Sequence, residues 1–384
     1  MGRLDKLPPY LFAEIDAARD RAAAQGVDVV DLGVGDPDQP TPKALVDLAA
    51  AAVRLPEHHR YPPGRGDARL RRAIAGFLRR RHGVDADPES EILVLVGSKE
   101  GIAHLPLALV AEGDNVLVPD VGYPVYTEAS ILAGAEPRLF PLSVDRAFLP
   151  DPRVLGRLAD ARTRLLWLNY PNNPTGAEAG AGLYAPLAEL AEARGFVLAN
   201  DAAYLEVSLD GHRPVSLLEA VDHRRQRVIE FHSFSKMFNM TGWRLGFAVG
   251  NSGVVGQLAR VKQSIDSGAF AALQEVAAAA LAIGAADRLL VDVMKPYAQR
   301  RRAIAAALAK AGLAVFPTQA TFYVWARVPA GETSLGFCGR VLRDLGVVLT
   351  PGVGFGPGGE GWFRISLTAP DDRIAVAARR LEDL

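Results

Sequence analysis

Short apolar runs at 92–96, 115–118, 137–140, 165–168, 196–199, 228–231 and 245–249 punctuate the middle of the chain. Several lack the polar alternation of a half-exposed strand, so both their faces must be covered. Helical patterns stand between many of them, as at 185–194 before Phe196. This alternation predicts an α/β domain whose mostly parallel sheet is covered by helices. We place it at 45–282. The rest changes character. Residues 288–311 form a long helical pattern, with Pro296 as a kink or break. Strand-like runs follow at 313–316 and 322–326, then a helix near 334–345, strands near 347–349 and 362–367, and a helix from about 371. These predict a smaller α+β domain of residues 283–384, joined by the N-terminal segment 1–44.

A chain of 384 residues has room for two domains and a large core. Its net charge of −1 gives no electrostatic reason to expect nucleic acid or an anionic membrane. Arginine runs at 69–72 and 79–81 fall on helical patterns and are expected on a solvated face. The one cysteine, Cys338, allows no intrachain disulfide, which fits a reducing cytoplasm. The N-terminus has no apolar core of a signal peptide, and no run reaches the roughly 18 apolar residues of a membrane span. The alanine-rich stretch 269–283 is interrupted by Gln274 and Glu275, so a buried or interface helix is expected. No metal site is expected.

One stretch carries unusual chemistry. S-F-S-K-M-F-N-M-T-G-W-R, residues 233–244, lies between two runs that both read as interior strands. A lysine in such a loop is ordinarily solvated. Here Lys236 stands beside Ser233, Ser235 and Arg244, a set suited to a phosphate. A lysine next to a phosphate set points to pyridoxal phosphate (PLP), whose carbonyl an amine captures as a Schiff base.

That cofactor demands further parts. Its ring nitrogen needs a carboxylate. Asp201 ends an apolar run and is the candidate, with a turn or cap as the other reading. Tyr204, three residues on, is placed to donate to the ring's phenolic oxygen. Ser98 opens a helix after the 92–97 strand, where free amides face an anion; it is alternatively only an N-cap. The turn-rich stretch 169–176 follows a buried strand, at a place where α/β sheets bind ligands. Arg364 lies inside the apolar run 362–367. A buried arginine needs an anion, either a substrate carboxylate or an internal salt bridge.

Taken together, Y-P-N-N-P-T-G (170–176), D-A-A-Y (201–204), S-F-S-K…T-G-W-R-L-G (233–246) and F-R-I-S (363–366) resemble the fold-type I, PLP-dependent class I/II aminotransferases, essentially end to end. The resemblance implies that Lys236 binds the cofactor's carbonyl carbon and later moves a proton. It implies that Asp201 pairs with the ring nitrogen, that Tyr204 and Asn173 bind the phenolic oxygen, and that Tyr123 stacks on the ring. Ser98, Lys99, Ser233, Ser235 and Arg244 would surround the phosphate. Arg364 would grip the substrate α-carboxylate, with Asn173 and the Gly35 backbone nearby. Tyr61, in R-Y-P-P-G-R-G, matches a tyrosine that reaches the neighbouring subunit's phosphate, which implies a homodimer with shared active sites.

More narrowly, residues 7–16, 32–38, 97–108 and 230–236 resemble the bacterial LL-diaminopimelate aminotransferases, which exchange an amino group between LL-diaminopimelate and 2-oxoglutarate in lysine and cell-wall synthesis. Ping-pong kinetics follow from such a reaction. Some of those relatives carry a glutamate after the Tyr61 motif for the substrate's distal ammonium. Here that loop reads Pro62-Pro63-Gly64-Arg65-Gly66-Asp67. Arg65 would repel an ammonium, and Asp67 is the acid left to receive one. The alternatives are aspartate, alanine, aromatic or N-succinyl-diaminopimelate specificity, or a PLP-dependent β-lyase. A PLP-fold transcription regulator would need an added DNA-binding domain. A dinucleotide enzyme read from Gly33-Val34-Gly35 lacks the third glycine.

Overall fold

The computed structural model describes residues 2–8, 11–282 and 284–384. Pro9 and Tyr10 of the 7–16 stretch, and Ile283 at the expected domain boundary, lie outside them.

All seven apolar runs become strands of one sheet. Its order is Ile92–Leu95, Gly246–Gly250, Val228–Ser233, Val197–Asp201, Thr163–Leu168, Asn115–Pro119, Glu136–Phe140. Every strand but Gly246–Gly250 runs in one direction. The interior strands are buried nearly throughout, while the edge strand Glu136–Phe140 leaves Leu139 exposed. Apolar side chains alternate along each strand into two cores. Leu166, Leu198 and Phe247 join the core on one face, and Leu165, Val197 and Ala248 the core on the other.

A third core gathers Val30, Leu32, Tyr204, Val207, Leu209 and residues from Val293 to Leu381. Two small sheets frame it. Val30–Asp31 pairs in parallel with Val347–Val348, and Trp362–Ser366 lies between Thr350–Pro351 and Tyr323–Arg327, antiparallel to both.

Three expectations change. The Ala285–Lys310 helix runs unbroken through Pro296. Residues 313–316 form no strand, only a single bridge from Val315 to Ala326. The arginine run at 69–72 is not wholly solvated. Arg71 is buried and donates to the carbonyls of Pro88 (2.7 Å) and Gly66 (2.5 Å) and to Glu89 (2.6 Å). These carbonyls face inward from the loops on either side of the Ala68–His82 helix, and the guanidinium satisfies them. The alanine-rich stretch is a helix, Ala271–Ala280, buried along Ala272, Val276 and Ala280. Among the described residues, no helix is long and apolar enough to cross a membrane.

Candidate active site

A cleft of about 500 Å³ opens at the carboxyl edge of the large sheet and is walled on its other side by the smaller sheets. Parallel strands deliver residues to that edge in turn. Ile92–Leu95 leads to Ser98, Asn115–Pro119 to Tyr123, Thr163–Leu168 to Asn169 and Asn173, Val197–Asp201 ends on Asp201, and Val228–Ser233 ends on Ser233. The reversed strand begins at the same edge, so Arg244, just before it, lands there too. Of the sequence candidates, Tyr61 and Asp67 are absent from the cleft wall. Tyr61 is 88% exposed.

Lys236 lies on the short Phe234–Met237 helix that leaves the Val228–Ser233 strand. Its Nζ donates to the Gly35 carbonyl at 2.8 Å. Burial lowers the pKa of this amine to about 8; Arg364 and Arg244 push the same way, against Asp36. Gly35 must be glycine, because a Cβ there would stand 2.0 Å from the Tyr323 hydroxyl.

The phosphate candidates gather around the Ser98–Leu109 helix. Gly97 stands at its N-cap, so no side chain caps its first amides. Gly97 has φ +79°, and a Cβ on it would come within 2.6 Å of the Arg244 Nη2. The guanidinium therefore rests directly against the backbone at the helix start. Arg244 takes a left-handed conformation itself (φ 55°) and donates to the Thr241 carbonyl at 2.7 Å. A side chain held in that region stores strain, common where a ligand is gripped. Ser233 and Ser235 are buried beside it. Amides, hydroxyls and one guanidinium fit a phosphorylated cofactor. The Lys99 ammonium stands 5.6 Å from the centre of the Tyr123 ring.

Asp201 is buried. It accepts from the Tyr126 hydroxyl at 2.7 Å and the Ala203 amide at 3.2 Å. Burial raises its pKa to about 6, although both hydrogen bonds and the nearby His232 favour the charged form. Tyr126 stacks on Trp167 at 5.2 Å, which fixes its direction. Nothing in the sequence marked Tyr126, because its partner lies 75 residues away. If the cleft holds PLP, as the sequence motifs imply, Tyr126→Phe should weaken its affinity about tenfold and move the acid limb of binding to higher pH. The check is PLP titration across pH 5–8; an unchanged profile would remove Tyr126 from this role.

Arg364, on the Trp362–Ser366 strand, is buried between the rings of Tyr323 (4.2 Å) and Phe355 (4.6 Å). It donates to Asn173 Oδ1 at 2.8 Å and the Gly33 carbonyl at 2.6 Å. No carboxylate pairs with it among the described residues, and its Nε has no partner. The internal salt bridge is thus not formed. Asn173 is itself fixed, its amide donating to Asn169 Oδ1 at 2.9 Å. Tyr204 shares a 2.7 Å hydrogen bond with the hydroxyl of Tyr323, another residue with no sequence signal.

The loop after Tyr61 behaves differently from expectation. Asp67 caps the Ala68–His82 helix, accepting from the Arg69 amide at 2.7 Å. Arg65 turns to the Ser90 and Ile92 carbonyls, at 3.0 and 3.4 Å. Neither lines the cleft.

A buried amine, an uncapped helix start and, from the small sheet, a buried guanidinium with no anion among the described residues line one cleft, a set suited to a phosphate group and a substrate carboxylate. The chain belongs to the family Aminotransferase class I and II, whose pattern matches residues 27–381. It is an aminotransferase, a family generally dependent on PLP that acts on amino acids and 2-oxo acids. It is 45% identical over 382 residues to an LL-diaminopimelate aminotransferase of Aquifex aeolicus, covering 100% of this chain and 98% of that protein. A counterpart of the same name from Desulforudis audaxviator is 47% identical, covering 99% and 96%. Among solved structures, N-succinyldiaminopimelate aminotransferase of Mycobacterium tuberculosis superposes with a TM-score of 0.90 at 34% identity, covering 100% and 99%. An aspartate aminotransferase double mutant of Thermus thermophilus gives 0.92 at 28%, covering 99% and 98%.

Proposed function

We propose that this aminotransferase uses PLP to exchange the amino group of LL-diaminopimelate with 2-oxoglutarate, as a homodimer in the cytoplasm. The observation that carries the reading is Arg364, a buried guanidinium with no carboxylate, lining the same cleft as the Lys236 amine. The donor is taken from relatives 45% and 47% identical that carry that name.

When bound, PLP supplies a carbonyl that condenses with a primary amine and a protonated ring that draws electrons from the α-carbon. The chain's residues do the rest. The first amides of the Ser98–Leu109 helix, with Ser98, Lys99, Ser233, Ser235 and Arg244, hold the phosphate. Tyr123 covers a ring face. Asp201 keeps the ring nitrogen protonated, and Tyr204 and Asn173 reach the phenolic oxygen. Arg364 binds the α-carboxylate through guanidinium N–H groups that no protein anion claims, with Asn173 and the backbone near Gly35 beside it. Lys236 Nζ takes the α-proton and holds it for return. With a pKa of about 8, about a tenth of this amine is neutral at pH 7, against under about a thousandth of an ordinary lysine.

Tyr61, exposed and away from its own cleft, is read as reaching the partner's phosphate. Most of the third core comes from 1–44 and 283–384, which supports reading these as one domain and 45–282 as the other, although Tyr204, Val207 and Leu209 join that core and Trp325, Phe355 and Trp362 join the core of the large sheet.

The test is an absorbance spectrum of the protein with PLP, followed by LL-diaminopimelate without any 2-oxo acid. A visible band that converts to the pyridoxamine form supports cofactor and donor together. A band that answers only glutamate or an aromatic amino acid discards the donor. Pyruvate and ammonia released without a 2-oxo acid would indicate a β-lyase. No band after incubation with PLP would sink the cofactor.

A further inference from the structure

The cleft wall carries Asp16, Asp31, Asp36, Asp201 and Glu128. Most are engaged. Asp16 and Asp31 accept from Arg19 at 2.9 and 3.1 Å. Asp201 is held by Tyr126. Asp36 is exposed, and its charge acts on the Lys236 amine, so it belongs to the reacting end. Glu128 is different. It is half-buried on the Val125–Ala133 helix, one turn beyond the start of the segment that carries Tyr123. Among the described residues its carboxylate has no hydrogen-bond or ion-pair partner. It also lines an adjoining cavity of about 230 Å³, with Leu11, Leu139 and Val353. Tyr123, Pro124 and Phe355 are common to both spaces, so Glu128 stands at their junction.

Glu128 sits in the first turn of its helix, where the helix dipole favours a negative charge, and its carboxylate is left to take a ligand cation. The loop acid that sequence comparison offers for this task, Asp67, is taken up in capping a helix.

We propose that Glu128 is a specificity-determining residue of this aminotransferase, receiving the ammonium at the far end of a long diamino acid whose α-carboxylate is held by Arg364. This rests on the diaminopimelate reading and deepens it. Two consequences follow from charge alone. Acylation of the far amine, as in an N-succinyl substrate, removes the cation and forfeits the contact. A short acidic substrate has no ammonium at its far end and gains nothing from Glu128.

Glu128→Gln keeps the shape and removes the charge, and Glu128→Asp keeps the charge. Both are assayed with LL-diaminopimelate and with glutamate, for kcat and KM separately and for Kd by absorbance titration. Glu128→Gln should raise KM and Kd for LL-diaminopimelate about tenfold to a hundredfold with little change in kcat, and leave KM for glutamate nearly unchanged. Glu128→Asp should recover much of the loss. Equal losses on both substrates, or none, would overturn the proposal. If the wild type itself ignores LL-diaminopimelate, the donor reading fails, and lysine against norleucine, which lacks the terminal ammonium, decides Glu128. Each is measured as substrate or competitive inhibitor. A wild-type preference for lysine that collapses in Glu128→Gln upholds the role; equal preference in both proteins, or no binding of either, ends it.

Discussion

Lys236→Ala gives a folded protein whose turnover falls on the order of 10⁴-fold or more. Two losses combine. The amine that would link to the cofactor is gone, and so is the base that would take the α-proton. The amine is tuned for the second task. Burial, helped by Arg364 and Arg244, brings its pKa down to about 8. Folding is spared because Nζ makes one hydrogen bond, to the Gly35 carbonyl at 2.8 Å. Two measurements check the expectation: single-turnover rates with LL-diaminopimelate, and the visible band of the PLP-loaded protein. Turnover near the wild-type rate would remove Lys236 from the chemistry.

Asp201→Ala should cost about 10²–10⁴-fold in kcat. Among the described residues its carboxylate is the buried acid in the cleft wall, the group we propose holds the ring nitrogen protonated. The same variant should leave the cofactor-free protein more stable at neutral pH. The folded pKa of Asp201, about 6, lies above the ordinary 3.8, because burial disfavours the charged form. The stability tied to this group is therefore fully present below pH 3.8 and lost as pH rises through 6. The rise corresponds to ~3 kcal/mol, of which packing lost with the side chain offsets part. Asp201→Asn, which keeps the shape, gives the cleaner reading. Thermal melts of cofactor-free protein at pH 5 and pH 8, alongside kcat, test both halves. A variant less stable than wild type at pH 8, or one with normal kcat, would contradict the assignment.

Much of this was legible in the chain. The sheet could be read because its strands are covered on both faces, leaving apolar runs such as 165–168 and 228–231 without alternation. Lys236, Asp201 and Arg364 could be read because each is a charge where an apolar run leads one to expect none. What escaped has a common cause. Arg71 looked like a solvated residue in an arginine run, but its partners are main-chain carbonyls from other segments. Tyr126 and Tyr323 carry no local signal, since their hydroxyls meet partners 75 and 119 residues away. Asp67 looked available and is not, because the helix after it needs a cap. Local chemistry shows in a sequence; the commitments of a side chain to distant backbone do not.

The single reversed strand has a consequence for how the site assembles. Lys236 must find Gly35 across 201 residues, and Arg364 must find Asn173 across 191. Such long closures are entropically costly and come late. Because Gly246–Gly250 turns back on Val228–Ser233, with Ser233 opposite Gly246, the serines, the lysine and the arginine sit on one short hairpin. That hairpin needs no distant partner to set its spacing. The Ser233-to-Arg244 share of the phosphate grip can form early and locally, while the Ser98 helix and the carboxylate grip wait for distant segments to arrive.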